Sequence, residues 1–583
     1  MALKIMPGID IGVHMIKYKC KECNITTELS ECPNCGKRAE LQESVVFWCE
    51  ECNIPLYEKT CPICGKIAER IGSDLRPVFP EERLLLEILL GTPFKYKNAS
   101  VWNAAGNHYY ADGKKINFSV SDVKDIDLEE IKIQLQLYSP KNTYSAFDET
   151  IVRFILANRK RYEYIVNEAT QYIREKAEKF QTNEMFVSFS GGKDSTVVSS
   201  LVLRALSNPQ ILHIFGDTTL EFPETLDYVA RFKKDHPKTP VLSSRNRDKD
   251  FFELCEVLGP PSRVMRWCCT VFKTGAIQRK ISTLFRNKKQ ILTFYGIRRS
   301  ESNSRKKYDK ESDSPKISIQ KTVSPIIDWF DFDIWLYILT TKIDFNLAYR
   351  LGYTRVGCWC CPNNSGWSGL LSSVYMPQQY EAFRDLLIRF AKNVGKPDPE
   401  EYVDSGNWKA RQGGNGLSYA QTSVITFEPC VLQENTVNFE LQKPITEELY
   451  ELFKPFGYIN KELGNQRLGE VYVVGKRGEL LLKLQGKIGT TTLKVSLLSR
   501  KTGHCNSFRA VEDKIKSQIT KYQMCMGCLG CESVCRYGAI NIVADREGLV
   551  SYQISDQKCV RCGECISHFD GGCYMRKVMT IKR

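Results

Sequence analysis

The stretch that decides the fold of the central domain is Ser188–Thr196, SFSGGKDST. It ends an apolar, strand-like run, MFVSF (185–189), and opens a helix-like segment. The glycines let backbone N–H groups approach an anion, the start of a helix adds partial positive charge, and a lysine supplies a full charge. The spacing is not that of the Walker motif, which has four residues between its glycines. The sequence therefore predicts an anion-binding loop formed by Ser190, Gly191, Gly192, Lys193, Asp194 and Ser195.

Strands and helices alternate around this loop. Two further apolar strands, ILHIFG (211–216) and ILTFYG (291–296), follow it, and a single long helix over 149–180 precedes it. Such alternation is typical of an α/β fold with a doubly wound parallel sheet, in which ligands bind at the carboxyl ends of the strands. We expect this domain to cover 149–415.

The loop resembles the SGGKDS signature of the PP-loop family of nucleotide pyrophosphatases and adenylyl-sulfate reductases. Four later segments are similar to that family: GDTTLEFPET (216–225), YGIRRSESNSR (295–305), SPIIDWFDFDIWLYI (324–338) and LAYRLGYTRVGCWCC (347–361). The resemblance implies that the first lies near adenosine and that arginines of the second clamp a phosphate or sulfate. Beyond the loop, the implied nucleotide and phosphosulfate ligands are Asp217, Thr218, Glu224, Arg298, Arg299 and Arg305; Lys193, Arg298 and Arg299 are the implied catalytic residues.

Most of the 24 cysteines are clustered. No apolar run reaches the roughly 18 residues that span a bilayer, and the N-terminus lacks the pattern of a secretory signal. We therefore expect a cytoplasmic protein without a membrane partner, whose clustered cysteines are reduced metal ligands and not disulfides.

The N-terminal region, 1–70, contains a repeat. CKECNITTELSECPNCGK from Cys20 returns as CEECNIPLYEKTCPICGK from Cys49, with C-x2-C-x8-C-x2-C in both copies. This spacing predicts two zinc ribbons, with rubredoxin-like iron as the alternative. The ligands are Cys20, Cys23, Cys32 and Cys35 in the first ribbon set, and Cys49, Cys52, Cys61 and Cys64 in the second.

The resemblance also gives the central cysteines a role. Adenylyl-sulfate reductases bind a four-iron cluster through adjacent cysteines and a later C-x2-C pair, which implies a central set of Cys268, Cys269, Cys358 and Cys361. A zinc site with the same ligands is the alternative. Cys360 is then surplus: it is a candidate nucleophile or a buried inert thiol.

The C-terminal block, 519–583, follows the two-cluster ferredoxin pattern, in which the fourth cysteine of each run binds the other cluster. Arg536 stands where proline is usual, and Cys573 comes later than the pattern requires. The pattern predicts a first ferredoxin set of Cys525, Cys528, Cys531 and Cys573, and a second of Cys559, Cys562, Cys565 and Cys535. With the central set this makes three 4Fe-4S clusters beside two zinc ions, fed by a low-potential electron donor.

The remaining segments are an accessory mixed α/β module (71–148) and a small α+β module (416–518). The formal charge of +14 would suggest a nucleic-acid partner. Thiolate ligation at five all-cysteine sites lowers it to about +4, so that support is weak.

Three functions remain open. The first is an oxidoreductase that binds adenylyl sulfate or phosphoadenylyl sulfate and reduces it to sulfite with electrons from built-in clusters. The second is a sulfurtransferase that uses ATP, with Mg²⁺, to adenylate and thiolate a nucleic acid; the third is a nucleotide and redox sensor. The reductases' late Glu-Cys-Gly-x-x-His-like motif has no counterpart here, apart from GECISH (563–568), whose cysteine belongs to a ferredoxin set. We favour the reductase because the electron donor is fused to the chain.

Overall fold

The structure is a computed structural model. It describes residues 18–20, 22–27, 32–36, 40–41, 45–120, 127–142, 145–247, 249–302, 305–314, 319–411, 425–503, 505–525, 527, 530–544, 550–571, 573 and 576.

The N-terminal repeat in sequence is also a repeat in structure. Each copy forms a small three-stranded antiparallel sheet, in the orders β2-β1-β3 and β5-β4-β6. The second copy packs its apolar side against Trp102, Phe154 and Phe332 of the following domains. The strands are β1 (Tyr18–Lys19), β2 (Thr26–Thr27), β3 (Glu40–Leu41), β4 (Val46–Cys49), β5 (Ile54–Leu56) and β6 (Glu69–Gly72).

The accessory module is a four-stranded antiparallel sheet with two helices. The predicted turn at Asp112-Gly113 is confirmed: both residues have positive φ, 49° and 76°, as a tight hairpin turn requires. The elements are β7 (Leu75–Pro77), α1 (Pro80–Leu89), β8 (Val101–Ala104), β9 (His108–Ala111), β10 (Lys114–Lys115) and α2 (Leu128–Tyr138).

The predicted single helix over 149–180 is wrong, because the structure has α3 (Ser145–Ala157) and α4 (Arg159–Ala177) with a break at Asn158. The buried Asn158 side chain accepts a hydrogen bond from Tyr57 N (2.9 Å) and donates one to Pro55 O (3.1 Å). Asparagine readily forms such side-chain bonds to backbone in place of helical ones. The break therefore ties the second ribbon to the central domain.

The central domain has the predicted doubly wound sheet. Strand order is β13-β12-β11-β14-β16-β15, with the first five strands parallel and β15 antiparallel at the edge. The elements are β11 (Met185–Phe189), α5 (Lys193–Ala205), β12 (Leu212–Gly216), α6 (Pro223–Asp235), β13 (Val241–Ser244), α7 (Phe251–Leu258), α8 (Gly275–Leu284), β14 (Ile291–Tyr295), β15 (Glu311–Asp313), β16 (Gln320–Val323), α9 (Asp331–Thr341), α10 (Gly366–Tyr375), α11 (Pro377–Asn393) and α12 (Pro399–Asp404).

Both faces of this sheet are covered. Alternate residues of β11 point to opposite sides: Val187 packs with α4, α5 and α9, whereas Phe186 packs against Ile281 of α8. Because β11 is central, the loop that follows it lies in the middle of the carboxyl edge, where α/β sheets bind ligands.

The last two modules share one hydrophobic core. The elements are β17 (Thr426–Pro429), β18 (Thr436–Glu440), α13 (Glu447–Glu451), β19 (Tyr458–Asn460), β20 (Glu470–Val474), β21 (Leu480–Gln485), β22 (Thr492–Leu497), α14 (Phe508–Met524), α15 (Gly530–Val534), β23 (Ile540–Ala544), β24 (Val550–Ile554) and α16 (Glu564–Gly571). Helix α14 runs across the expected boundary at 518/519, and its Ile515 packs in the same cluster as Tyr552 and Ile566. In the described part of the chain, no helix combines the length and apolarity needed to cross a membrane.

Candidate functional site

The loop after β11 is built so that only glycine fits at its turn. Gly191 has a φ of +69°, and a Cβ there would lie 2.8 Å from Thr225 Cγ2. Behind the loop, Ser195 Oγ donates to Gly192 O (2.9 Å), and Lys193 N donates to Tyr349 OH (3.0 Å). The SGGKDS segment is therefore a fixed loop at the N-terminus of α5, the geometry that binds phosphates in other folds.

Two buried cations, Lys193 and Arg298, meet two partly exposed carboxylates, Asp194 and Asp331, beside the loop. Lys193 Nζ lies 3.2 Å from Asp194 Oδ2 and 3.3 Å from Asp331 Oδ1. Arg298 bridges the same two carboxylates, donating from Nε to Asp194 Oδ1 (2.5 Å) and from Nη2 to Asp331 Oδ1 (2.7 Å). Burial opposes ionisation of Asp331, but Lys193 and Arg298 outweigh it and lower its pKa. The structure thus brings predicted Arg298 to the loop.

A further carboxylate, Asp74, was not predicted as part of the site. Its carboxylate accepts hydrogen bonds from Asp331 N and Phe332 N, both at 2.9 Å. Burial, followed by the charge of Asp331, raises the pKa of Asp74 to about 7. The first strand of the accessory module therefore helps to hold the start of α9 in the site.

The other two predicted arginines differ in their surroundings. Arg299 pairs with Asp328 and donates from Nε to Tyr308 O (3.0 Å). Arg305 pairs with Glu301, and burial and neighbouring Arg355 lower its pKa to about 10. Arg305 is half-buried and Arg355 is exposed, and arginine side chains offer paired donors to the oxygens of an anion such as phosphate or sulfate. The sequence analysis missed Arg355, although it stands just before the central C-x2-C pair.

The segment after β12 joins the nucleotide loop to the cysteines. Asp217 Oδ1 accepts a hydrogen bond from Thr219 N (2.9 Å), and Thr218 Oγ1 donates to Glu221 Oε1 (2.6 Å). Thr218 Oγ1 also lies 3.4 Å from Cys358 Sγ. Glu224 lies in the first turn of α6, and its Oε2 atom is buried without a hydrogen bond to any described residue. A buried oxygen of this kind is available to a ligand donor.

The central set is gathered from two segments. Cys268 precedes a π-helical turn, Cys269–Thr274, and its thiol pKa is raised first by a hydrogen bond with Cys269, then by burial. The charge of Cys358 also raises the pKa of Cys268, and the charge of Cys269 raises the pKa of Cys361, so the four thiols are neighbours. Their sulfur atoms are not drawn as close together as those of the ribbon sets.

Cys360 stands apart from these ligands. It is 6% exposed and packs in an apolar cluster with residues such as Leu387. Burial raises the pKa of its thiol well above the ordinary value. Since the thiolate is the nucleophile, the geometry favours an inert thiol over a catalytic one.

The two ribbon sets fit a single metal ion each. In both, the four sulfur atoms lie within 4.8 Å of one another, so two four-cysteine groups could hold metal ions. Cys20 Sγ lies 3.6 Å from Cys35 Sγ, and Cys49 Sγ lies 3.5 Å from Cys64 Sγ. A backbone hydrogen bond from Lys66 lowers the pKa of Cys64 to about 7, which favours the thiolate.

The structure describes seven of the eight cysteines of the predicted ferredoxin sets. Cys528 lies outside the described residues. The pKa of Cys573 is raised to about 12 by burial, with contributions from Cys531 and Cys525, its expected partners. The second set lines one small cavity, formed by Cys535, Cys559, Cys562 and Cys565. Four thiols around one cavity are a donor set that fits a cluster.

A large basic cavity opens at the carboxyl ends of β12 and β13. Its volume is about 1180 Å³, and Asp217 and Ser244 lie at its inner edge. Its cationic lining comes from the segment after β13 and from α8: Arg245, Arg247, Lys249, Arg279 and Lys280. This cavity was not predicted from the sequence. The sequence feature that could have indicated it is the basic stretch SSRNRDK (243–249), which directly follows a strand.

Comparison with known proteins supports the same family. Residues 184–364 match the phosphoadenosine phosphosulfate reductase domain. The chain is 29% identical over 266 residues to the uncharacterized protein MJ0973 of Methanocaldococcus jannaschii, covering 45% of this chain and 61% of that protein. It is also 29% identical over 299 residues to MJ0066 of the same organism, covering 51% and 57%. The chain therefore spans about three fifths of the length of these two relatives.

Relatives with a named activity match the central domain. The adenosine 5′-phosphosulfate reductase of Anoxybacillus flavithermus is 27% identical over 187 residues, which cover 31% of this chain and 73% of that protein. A phosphoadenylyl-sulfate reductase structure from Candida auris shares 15% identity over 35% of this chain and 97% of its own, with a TM-score of 0.27, too low to carry an argument. The domain match and the sequence relatives support the phosphoadenylyl-sulfate and adenylyl-sulfate reductase family.

Proposed function

We propose that this protein binds adenylyl sulfate or phosphoadenylyl sulfate and reduces it to sulfite. The observation that carries the proposal is that the cations of the nucleotide loop and a predicted cluster ligand lie at one edge of the sheet: Arg298 is paired with Asp194, and Thr218, just after β12, lies 3.4 Å from Cys358 Sγ. Burial and the charge of Arg355 both lower the pKa of Arg305, and the charge of Arg355 also favours the thiolate form of Cys361. An anion held by these arginines would extend from the nucleotide loop toward the thiols, as a phosphosulfate does.

The reaction needs two electrons and no other co-reactant. Sulfur passes from the +6 to the +4 state, its bond to the bridging oxygen breaks, and that oxygen stays on the nucleotide phosphate. The products are sulfite and AMP, or the 3′-phosphorylated nucleotide. The departing phosphate gains negative charge, so fixed cations beside it stabilise the transition state more than the ground state.

Each charged residue has a part in this scheme. Backbone N–H groups of the loop, Lys193 and Arg298 bind the nucleotide phosphate, and Arg305 and Arg355 bind the sulfonate end. Asp194 and Asp331 hold Lys193 and Arg298 in place through the contacts described above. Pre-positioned cations avoid the cost of reorganising solvent during the reaction.

The proposed electron supply is supported by contacts between the C-terminal module and the central domain. Arg279 of α8 donates from Nη2 to Ile542 O (2.5 Å) and lies 3.6 Å from Glu532 Oε2. Met524 and Phe569 of that module belong to the same apolar cluster as Cys360, with Cys268, Cys358 and Cys573 at its edge. Clusters in the two ferredoxin sets and in the central set would supply low-potential electrons next to the substrate. The proposed content is about twelve iron and two zinc per chain.

The basic cavity favours a second candidate, the ATP-dependent sulfurtransferase. Arg247, Lys249 and Lys280 form no ion pair or hydrogen bond with any described residue, and they surround space enough for a nucleotide. In that function the loop would bind ATP with Mg²⁺, and the cavity would take a phosphate of the nucleic-acid acceptor.

One assay separates the two. Protein purified without oxygen is supplied with a low-potential reductant and either adenylyl sulfate, phosphoadenylyl sulfate, or ATP with Mg²⁺ and tRNA or DNA. We expect sulfite from one of the first two. Release of AMP and pyrophosphate from ATP only when nucleic acid is present, without sulfite in the other arms, would overturn the reductase.

A further inference from the structure

A buried lysine lies in the C-terminal module without a carboxylate partner. Lys521 is in the last turn of α14 and is 1% exposed. Its Nζ donates to Tyr552 OH at 2.9 Å and lies 4.3 Å from the centre of that ring. No carboxylate among the described residues is within ion-pair distance of Lys521. A buried ammonium is costly unless an opposite charge is near, so its counter-charge must come from elsewhere.

The carboxylate that bonds to Tyr552, the partner of Lys521, is already engaged. Glu448 accepts a hydrogen bond from Tyr552 N at 3.2 Å, and its other oxygen pairs with Lys443 Nζ at 2.8 Å. Cysteines lie close to this ammonium. Tyr552, which holds it, packs in one buried cluster with Cys531 and Cys565, and Cys525 stands four residues after Lys521 in the chain.

These cysteines belong to both ferredoxin sets. Cys525 and Cys531 are in the first set, and Cys565 is in the second. The position is fixed, because Lys521 O accepts the hydrogen bond of Cys525 N at 2.9 Å and α14 leads directly into the first set. Tyr552 therefore holds the Lys521 ammonium beside a core that contains a cysteine of each set, Cys531 and Cys565.

We propose that Lys521 is the shared counter-charge of the two ferredoxin clusters and raises the reduction potential of both; this rests on the electron supply in the proposed function. A four-iron cluster with four thiolates is an anion in both redox states and gains one more negative charge on reduction. A fixed positive charge in a buried, low-dielectric place stabilises the reduced state more than the oxidised one. Tyr552 positions the ammonium by its hydrogen bond and ring.

The test is a redox titration of the full chain after anaerobic reconstitution, followed by electron paramagnetic resonance, with iron counted in each variant. Lys521→Met removes the charge, Lys521→Arg keeps it, and Lys516→Met removes a charge from the same helix that is already paired with Glu512. We expect Lys521→Met to lower the midpoint of the ferredoxin clusters by at least about 59 mV, a tenfold change in the one-electron equilibrium. Lys521→Arg and Lys516→Met should stay at the wild-type value.

The other outcomes of this experiment support or overturn the proposed role of Lys521 as follows. Loss of iron in Lys521→Met with full iron in Lys521→Arg also supports the proposal, because the charge is then needed for the clusters to bind. Full iron with an unchanged midpoint in Lys521→Met overturns it. A wild-type chain that binds no iron at the ferredoxin sets overturns both this proposal and the electron supply, whereas a shifted midpoint without sulfite formation leaves Lys521 in its role and removes only the reductase.

Discussion

Thr218 Oγ1 lies 3.4 Å from Cys358 Sγ, so the segment that follows β12 touches a predicted cluster ligand. A bridge between Glu221 and Cys358, and a hydrogen bond from Trp359 N to Leu220 O (2.9 Å), hold the two segments together. The nucleotide end and the cysteine end of the site are therefore one structural unit. We expect a substitution at either end to alter the structure of the other end.

Gly296→Ala should disrupt the nucleotide loop. A Cβ at Gly296 would lie 2.7 Å from Asp194 C and Ser195 N, and backbone atoms cannot yield cheaply. We expect a loss of about 1–3 kcal/mol in the free energy of unfolding, with nucleotide binding lost, measured by denaturant unfolding and calorimetry. Gly369→Ala is the control, since a Cβ there meets nothing within 4 Å. If the two variants had the same free energy of unfolding and the same nucleotide binding, the close approach of Gly296 to the loop backbone would be contradicted.

Arg355→Gln should weaken binding of adenylyl sulfate more than binding of AMP. Losing one charge-assisted hydrogen bond costs about 1.5–3 kcal/mol, which corresponds to roughly a 10- to 150-fold higher Kd. AMP, which lacks the sulfonate, should bind nearly as before. Arg384→Gln is the control, because Arg384 pairs with Asp404 away from the site (2.6 Å). If Arg355→Gln weakened both ligands alike, Arg355 would not contact the sulfonate.

Cys360→Ser should leave both iron content and activity in place, since the thiol is buried with a raised pKa. Cys358→Ser, in contrast, should lose iron from the central set. Iron analysis and a sulfite assay on the two variants check this. Full iron with abolished activity in Cys360→Ser would restore the nucleophile hypothesis.

Asp74 should make stability depend on pH. Its folded-state pKa is about 7, above the unfolded value of about 4, so the folded state binds the extra proton. Stability is therefore highest below about pH 4 for this group and falls as pH rises to about 7. The difference in the free energy of unfolding between wild type and Asp74→Asn should change across that window. A constant difference from pH 4 to 7 would show that Asp74 ionises normally.

Local patterns in the sequence were enough to predict the sheet, the loop and the ribbon sets. The run MFVSF and the SGGKDS turn define β11 and its anion site, and the strands near 212 and 291 were found within a residue of their ends. Alternating apolar residues and glycine positions act locally, which is why they can be recognised without a structure.

The missed features depend on contacts between distant segments. Asp74 reaches α9 across more than 250 residues, and Asn158 breaks a helix because β5 lies beside it. The effect of Arg355 on the pKa of Arg305 joins two residues that are far apart in the sequence. The basic cavity needs β13 and α8 together, so no single stretch defines it.

The most direct test of the central claim is a single turnover without an external donor. The iron-loaded chain is reduced, freed of reductant and mixed with adenylyl sulfate or phosphoadenylyl sulfate, while sulfite and cluster oxidation are followed together. The account predicts up to one sulfite for every two electrons lost by the clusters. Clusters that stay reduced while no sulfite forms from either nucleotide would contradict it.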